Sequence, residues 1–223
     1  MSHVTLLPSY PAPDWDELER VLVALQGQAT DFQIDIVDGR FVPHLSWPFN
    51  ETDLDTALAK LDAWRSAYIL EFDCMVLHPE QYLDRLVQAG AQRIIIHYGS
   101  TDAYADIAQH SQTHNYQLGL AVTVDIPMEQ IVPLLPYVSY VQVMGIAKVG
   151  QQGQPFAVEA LERIKELKAH APNLVVAVDG SVNADTIPDL VAAGADRLAP
   201  GSAITKQADP RAAYKQLQDL LVE

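Results

Sequence analysis

Short apolar runs alternate with stretches of helical periodicity along the whole chain. The first run, Val4 to Ser9, closes in Pro8-Ser9-Tyr10-Pro11-Ala12-Pro13. Trp15 to Leu25 then carries Leu18, Val21, Leu22 and Leu25 at helical spacing behind Asp14, a natural N-cap. The stretch Phe32 to Val37 is a strand pattern that ends in Asp38-Gly39 and Pro43. Helical spacing returns over Asp53 to Trp64, strand character over Tyr68 to Val76. Pro79 opens a helix carrying Tyr82, Leu83, Leu86 and Val87, which Gly90 ends. Strands follow at Arg93 to His97, Gln117 to Val122, Val138 to Met144, Leu174 to Val178 and Arg197 to Ala199. The intervening helices are Asp102 to His114, Met128 to Leu135, Val158 to Ala169 and Ala184 to Ala193, with a final one from Pro210 to Leu221.

Eight strand–helix units in this length, without a linker, describe one α/β domain over residues 1–223, a (β/α)8 TIM barrel. Its loops after each strand's C-terminal end carry the site. A doubly wound open sheet is the alternative, but no Gly-x-Gly-x-x-Gly follows the first strand.

Alternation along the second strand decides where its polar residues point. Gln33, Asp35 and Val37 share one face, and Ile34 and Ile36 the other. If the isoleucines pack under a helix, Asp35 points into the barrel, where a carboxylate is costly unless paired, metal-bound or employed. Asp179 stands at the end of the seventh strand, on the roughly opposite wall. Two carboxylates facing each other over a substrate suit removal of a proton from one face and its return to the other. The bland reading of either alone is a turn or helix cap; the two together favour function. Gly180-Ser181 and Gly201-Ser202 follow the last two strands as the phosphate cradles of such barrels do. Glu71, Asp73 and Met75 share a face, as do Gln142 and Met144, and His97 ends the fourth strand. A lone histidine there is more often structural than a ligand, and the methionines are most simply core.

Composition narrows the ligands. Fourteen basic against 29 acidic residues give a charge of −15, which argues against nucleic acid or an anionic membrane surface. An anionic substrate must then be held by local backbone N–H groups. No apolar run reaches the roughly 18 residues of a membrane span, and Met1-Ser2-His3-Val4 does not begin a signal peptide. The single cysteine, Cys74, fits a reducing, cytoplasmic setting.

Ile34-Asp35-Ile36-Val37-Asp38-Gly39-Arg40-Phe41-Val42-Pro43 resembles the His-x-Asp-Val-Met-Asp-Gly-x-Phe-Val-Pro-Asn signature of ribulose-phosphate 3-epimerases. Met75-Val76-Leu77-His78-Pro79-Glu80, Val178-Asp179-Gly180-Ser181-Val182-Asn183 and Gly201-Ser202-Ala203-Ile204 resemble later signatures in the right order. The sibling allulose-phosphate epimerases share most of these and are closer at Ser181. The resemblance implies an isomerase of carbohydrate metabolism that moves a proton through an enediolate of a ketose phosphate. Asp35 and Asp179 would be its acid/base pair. Ser9, Met75, Met144, Gly180, Ser181, Gly201 and Ser202 would contact substrate, and a homo-oligomer is expected. It also implies a divalent metal, usually zinc or iron, held by two histidines and the two aspartates. Here those histidine positions carry Gln33 and Asp73, a third methionine position carries Val37, and the loop from Ile146 to Gln154 lacks the family's proline and aromatic. A set of Gln33, Asp35, Asp73 and Asp179 is all oxygen, which disfavours zinc and suits Mg2+, Mn2+ or Ca2+, or no metal. Two readings stay open: an active epimerase, or a sugar-phosphate-binding barrel that has lost the activity. A decarboxylase or aldolase is disfavoured because Glu71-Phe72-Asp73 lacks the Asp-x-Lys-x-x-Asp pattern.

Overall fold

The apolar runs form nine parallel strands in a computed structural model that describes residues 4–150 and 153–221. They are β1 (Thr5–Leu6), β2 (Ser9–Tyr10), β3 (Asp31–Val37), β4 (Ile69–Met75), β5 (Ala91–His97), β6 (Gln117–Val122), β7 (Tyr140–Met144), β8 (Val175–Asp179) and β9 (Arg197–Ala199). The helices between them are α1 (Trp15–Leu25), α2 (Leu54–Ala59), α3 (Leu83–Gln88), α4 (Tyr104–His114), α5 (Met128–Ile131), α6 (Glu159–His170), α7 (Ile187–Ala193), α8 (Ser202–Thr205) and α9 (Pro210–Asp219). The ladder runs β1-β9-β8-β7-β6-β5-β4-β3-β2. Its two ends belong to one segment, the expected first strand, which is split at Leu7-Pro8. There the Leu7 N–H still donates to Leu198 O at 2.9 Å and the Gln33 N–H to Pro8 O at 2.8 Å. Proline lacks the donor that would continue the strand, and the sheet closes around the break as a (β/α)8 barrel.

The outer face holds the main core. Leu18, Val21, Leu22 and Leu25 of α1 are buried with Ile34 and Ile36, so alternation on β3 runs as its sequence implies. The inner face is partly polar. At its floor Arg93 contacts Asp31 at 2.5 Å and Glu71 at 3.6 Å, and the Tyr140 hydroxyl donates to Glu71 at 2.9 Å. The Arg197 guanidinium lies over the Tyr140 ring at 4.8 Å. Gly119 makes room for that ring, since a Cβ there would lie 2.5 Å from it. Ile95, Ala121 and Ala177 fill the middle, leaving the top of the barrel to the site.

Several helices are shorter than their periodicity predicts. Asp53 caps α2, accepting from the Thr56 N–H at 2.6 Å, but residues 60–63 tighten into a 3-10 turn. The helix expected from Pro79 is a 3-10 turn (Pro79–Gln81) followed by α3. Pro133 and Pro136 convert the end of the expected Met128–Leu135 helix to 3-10 geometry over Val132–Tyr137. α7 starts at Ile187 rather than Ala184, because Asn183 Oδ1 accepts from the Asp185 and Thr186 N–H groups and holds a turn there. α8 has no counterpart in the expected pattern. The N-terminal residues Met1, Ser2 and His3 and the loop residues Gln151 and Gln152 lie outside the described residues.

Candidate active site

Asp35 reaches the barrel top because odd-numbered residues of β3 face inward. The parallel register sets Asp35 beside Asp73 and Val37 beside Met75 on β4, and Met144 on β7 beside Asp179 on β8. Asp35, Asp73 and Asp179 present carboxylate oxygens within 4.8 Å of one another, a group of the kind that can hold a metal ion. All three are buried.

Hydrogen bonds organise these acids. The Gln33 side-chain amide donates from Nε2 to Asp35 Oδ1 at 2.9 Å and to Asp179 Oδ2 at 3.0 Å. Asp73 faces His97 Nε2 across 2.7 Å and accepts from Gln142 Nε2 at 3.1 Å on its other oxygen. Among the described residues Gln33 Oε1 and Gln142 Oε1 find no hydrogen-bond partner, at a cost of about 1–3 kcal/mol each. The carboxylates dictate that orientation, since turning either amide round would set oxygen against oxygen. The two aspartates expected on opposite walls are therefore joined through one amide nitrogen. Gln33, expected among metal ligands, stands here as a donor to two of them.

Burial raises the proton affinity of both bridged acids. Asp35 is pushed well above the usual carboxylate range, first by burial and then by the charges of Asp179 and Asp73, with the Gln33 N–H opposing. Asp179 is pushed up to about 7 by burial and by Asp73, with the N–H groups of Gln33 and Gly180 opposing. Both shifts favour the protonated forms, the condition under which one of two close carboxylates can hold a proton while the other is ionised.

A cavity of about 310 Å³ opens above them. Asp35 and Asp179 line it, and so do all the residues expected to contact substrate: Ser9, Met75, Met144, Gly180, Ser181, Gly201 and Ser202. Asp73 and Gln33 do not line it. Among the described residues no lysine or arginine lines the cavity. Residues 145–150 and 153–157 fold over one side. Val149 packs against both the apolar cluster that contains Met144 and the one that contains Met75, and the Ser181 hydroxyl donates to Gln154 O at 2.6 Å.

Sequence reasoning undervalued three inward residues. His97 and Gln142 hold both oxygens of Asp73, and Val149 packs against the two apolar clusters that contain the methionines. Gln142 shares its face with Met144, so strand parity contained the signal. Nothing local in the sequence marks Val149.

The sequence model of the Ribulose-phosphate 3 epimerase family matches residues 5–205. The chain is 29% identical over 229 residues to a ribulose-phosphate 3-epimerase of Schizosaccharomyces pombe, covering 100% of this chain and 96% of the relative. It is 30% identical over 182 residues to a ribulose-phosphate 3-epimerase, cytoplasmic isoform, of Oryza sativa, covering 79% and 76%. Among solved structures it is similar to a 3-hexulose-6-phosphate synthase, with a TM-score of 0.76 at 18% identity over 97% of this chain and 99% of that one. KGPDC from Streptococcus mutans also gives 0.76, at 12% identity over 98% and 97%. At such identities these two structures speak for the barrel alone.

Proposed function

The chain belongs to the ribulose-phosphate 3-epimerase family, and from that premise we propose that it inverts the carbon next to the ketone of a ketose phosphate, using Asp35 and Asp179. The activity is that of a carbohydrate-phosphate epimerase, an isomerase. In the forward step the ionised carboxylate takes the proton from the carbon beside the carbonyl. The electron pair left behind moves onto the carbonyl oxygen and gives an enediolate. The neutral carboxylic acid of the pair then delivers its proton to the opposite face of the same carbon. Net, one stereocentre is inverted and the two aspartates exchange protonation states, which readies them for the reverse direction. The observation that carries this reading is the pair itself, two buried carboxylates lining one cavity within reach of a single amide.

The phosphate belongs with Gly180-Ser181 and Gly201-Ser202. Without a lysine or arginine in the described lining, and with a chain charge of −15, backbone N–H dipoles and the Ser202 hydroxyl must offset the dianion, since the Ser181 hydroxyl already donates to Gln154 O. Met75 and Met144 give the planar enediolate a polarisable apolar wall.

The metal implied by the family resemblance does not fit these donors as zinc or iron. The implied set pairs two imidazoles with two carboxylates, whereas this site offers three carboxylates. The Gln33 N–H2 stands between two of them, and His97 and Gln142 engage the third. No step here runs through a metal, and the amide takes over the task of holding Asp35 and Asp179 together. A cytoplasmic setting is supported by the single buried cysteine, Cys74.

Turnover of D-ribulose 5-phosphate and D-allulose 6-phosphate by untagged protein tests the reading. Asp35→Asn is expected to lower kcat roughly 10²–10⁴-fold while the fold survives. Wild-type turnover in that variant would overturn it.

A further inference from the structure

We propose that Asp84, His110 and His114 form a second, exterior site for a divalent metal of the zinc class, bridging α3 and α4. It lies on the outer helical layer and shares no residue with the barrel mouth.

His110 and His114 are four residues apart on α4, so both side chains leave the same face of the helix. Their rings stack with centroids 4.0 Å apart and planes inclined by 23°. Asp84 reaches across from α3, with Oδ1 3.0 Å from His110 Nε2. One ligand-capable atom from each of the three residues lies within 4.8 Å of the other two. Around zinc, with Zn–N and Zn–O near 2.1 Å, tetrahedral ligand atoms stand about 3.4 Å apart. These side chains are partly or fully exposed, so small rotations close the remaining gap without disturbing the core.

The other ring nitrogens are already engaged, as ligating histidines require. His114 Nδ1 donates to His110 O at 3.0 Å, which fixes its tautomer and leaves Nε2 as the free electron pair. His110 Nδ1 lies 3.1 Å from the Tyr116 hydroxyl. In the metal-free protein His110 Nε2–H donates to Asp84 and Nδ1 accepts from Tyr116. With Nε2 turned to a metal, Nδ1–H can donate to the hydroxyl, so the ring keeps its partner. Both histidines lie in the last two turns of α4, whose carbonyl ends carry partial negative charge, and the −15 chain further favours a cation. Two imidazoles and one carboxylate leave coordination positions open to water. A donor set of this type takes zinc, nickel or copper in preference to magnesium or calcium.

Calorimetric titration of untagged, chelator-treated protein with Zn2+ tests this directly, with Cu2+ spectroscopy as the second readout. One saturable equivalent is expected. His114→Ala and Asp84→Asn should each weaken it at least tenfold, and Mg2+ should not compete. Bound Cu2+ should show nitrogen hyperfine coupling that His114→Ala diminishes. Epimerase turnover and secondary structure should be unchanged in both variants, since neither residue lines the cavity. Absence of binding, or Zn2+ affinity that both variants leave intact, would overturn the proposal. In particular, an equivalent lost in Asp35→Asn but kept in His114→Ala would place the ion at the barrel mouth instead.

Discussion

Asp179 keeps its proton up to about pH 7 in the folded chain because burial and the charge of Asp73 both disfavour its anion. In the unfolded chain the same group ionises near 4. The folded state therefore binds more protons between these values, so stability contributed here is full below about pH 4 and declines as pH rises through 7. Asp35 acts in the same direction. Thermal midpoints measured from pH 5 to 8 should fall. Asp179→Asn, which removes the buried charge, should flatten that slope and melt several degrees higher than wild type at pH 8, while abolishing turnover. Gln33 has the opposite influence on both acids, since its N–H groups favour their charged forms. Gln33→Leu should lower kcat and move both limbs of the pH–rate profile upward, and chelator treatment of wild type should leave turnover unchanged. A rate that follows restored metal content would contradict this role. Strand parity on its own set Gln33 beside Asp35. Whether Gln33 ligates or donates depends on Asp179, 146 residues away, and no local pattern contains that contact.

Loops and strand ends decide how the pair is enclosed. The β7 and β8 loops touch backbone to backbone. The Gly145 N–H donates to Asp179 O at 2.6 Å, and a Cβ on Gly145 would lie 2.2 Å from Gly180 O. Gly145→Ala must push the two loops apart, with an expected cost of about 1–3 kcal/mol and a marked loss of turnover; an unchanged melting curve would contradict it. Ser181 holds a left-handed conformation at φ 54° and ties the covering segment through Gln154 O. Ser181→Gly relieves the backbone but removes that bond, so KM for the sugar phosphate should rise more than kcat falls. Elements with strong periodicity, such as α1 and β3, were legible from the chain. The ends of the Met128 helix and of α7 were not, because Pro133, Pro136 and the Asn183 turn override the apolar spacing.

At the scale of the whole molecule, eight repeating units were enough to expect a barrel. The sheet's closure through a broken first strand was not visible, since it depends on Leu198 and Gln33 meeting either side of Pro8. Nor was the charged floor, where Arg93 offsets Asp31 and Glu71 far from the catalytic mouth. Arg93→Met removes the ion-pair partner of two buried carboxylates, leaving Glu71 the Tyr140 hydroxyl and Asp31 the Thr30 hydroxyl, and should cost roughly 3–5 kcal/mol in chemical denaturation. The barrel thus separates a floor that supports the fold from a mouth that concentrates acids for proton transfer. The most direct test of that assignment is deuterium uptake from D2O into D-ribulose 5-phosphate, followed by NMR at the carbon beside the ketone. Wild type should exchange that hydrogen, and Asp35→Asn and Asp179→Asn should each suppress the exchange by at least two orders of magnitude. Exchange at the wild-type rate in either variant would contradict the two-aspartate account.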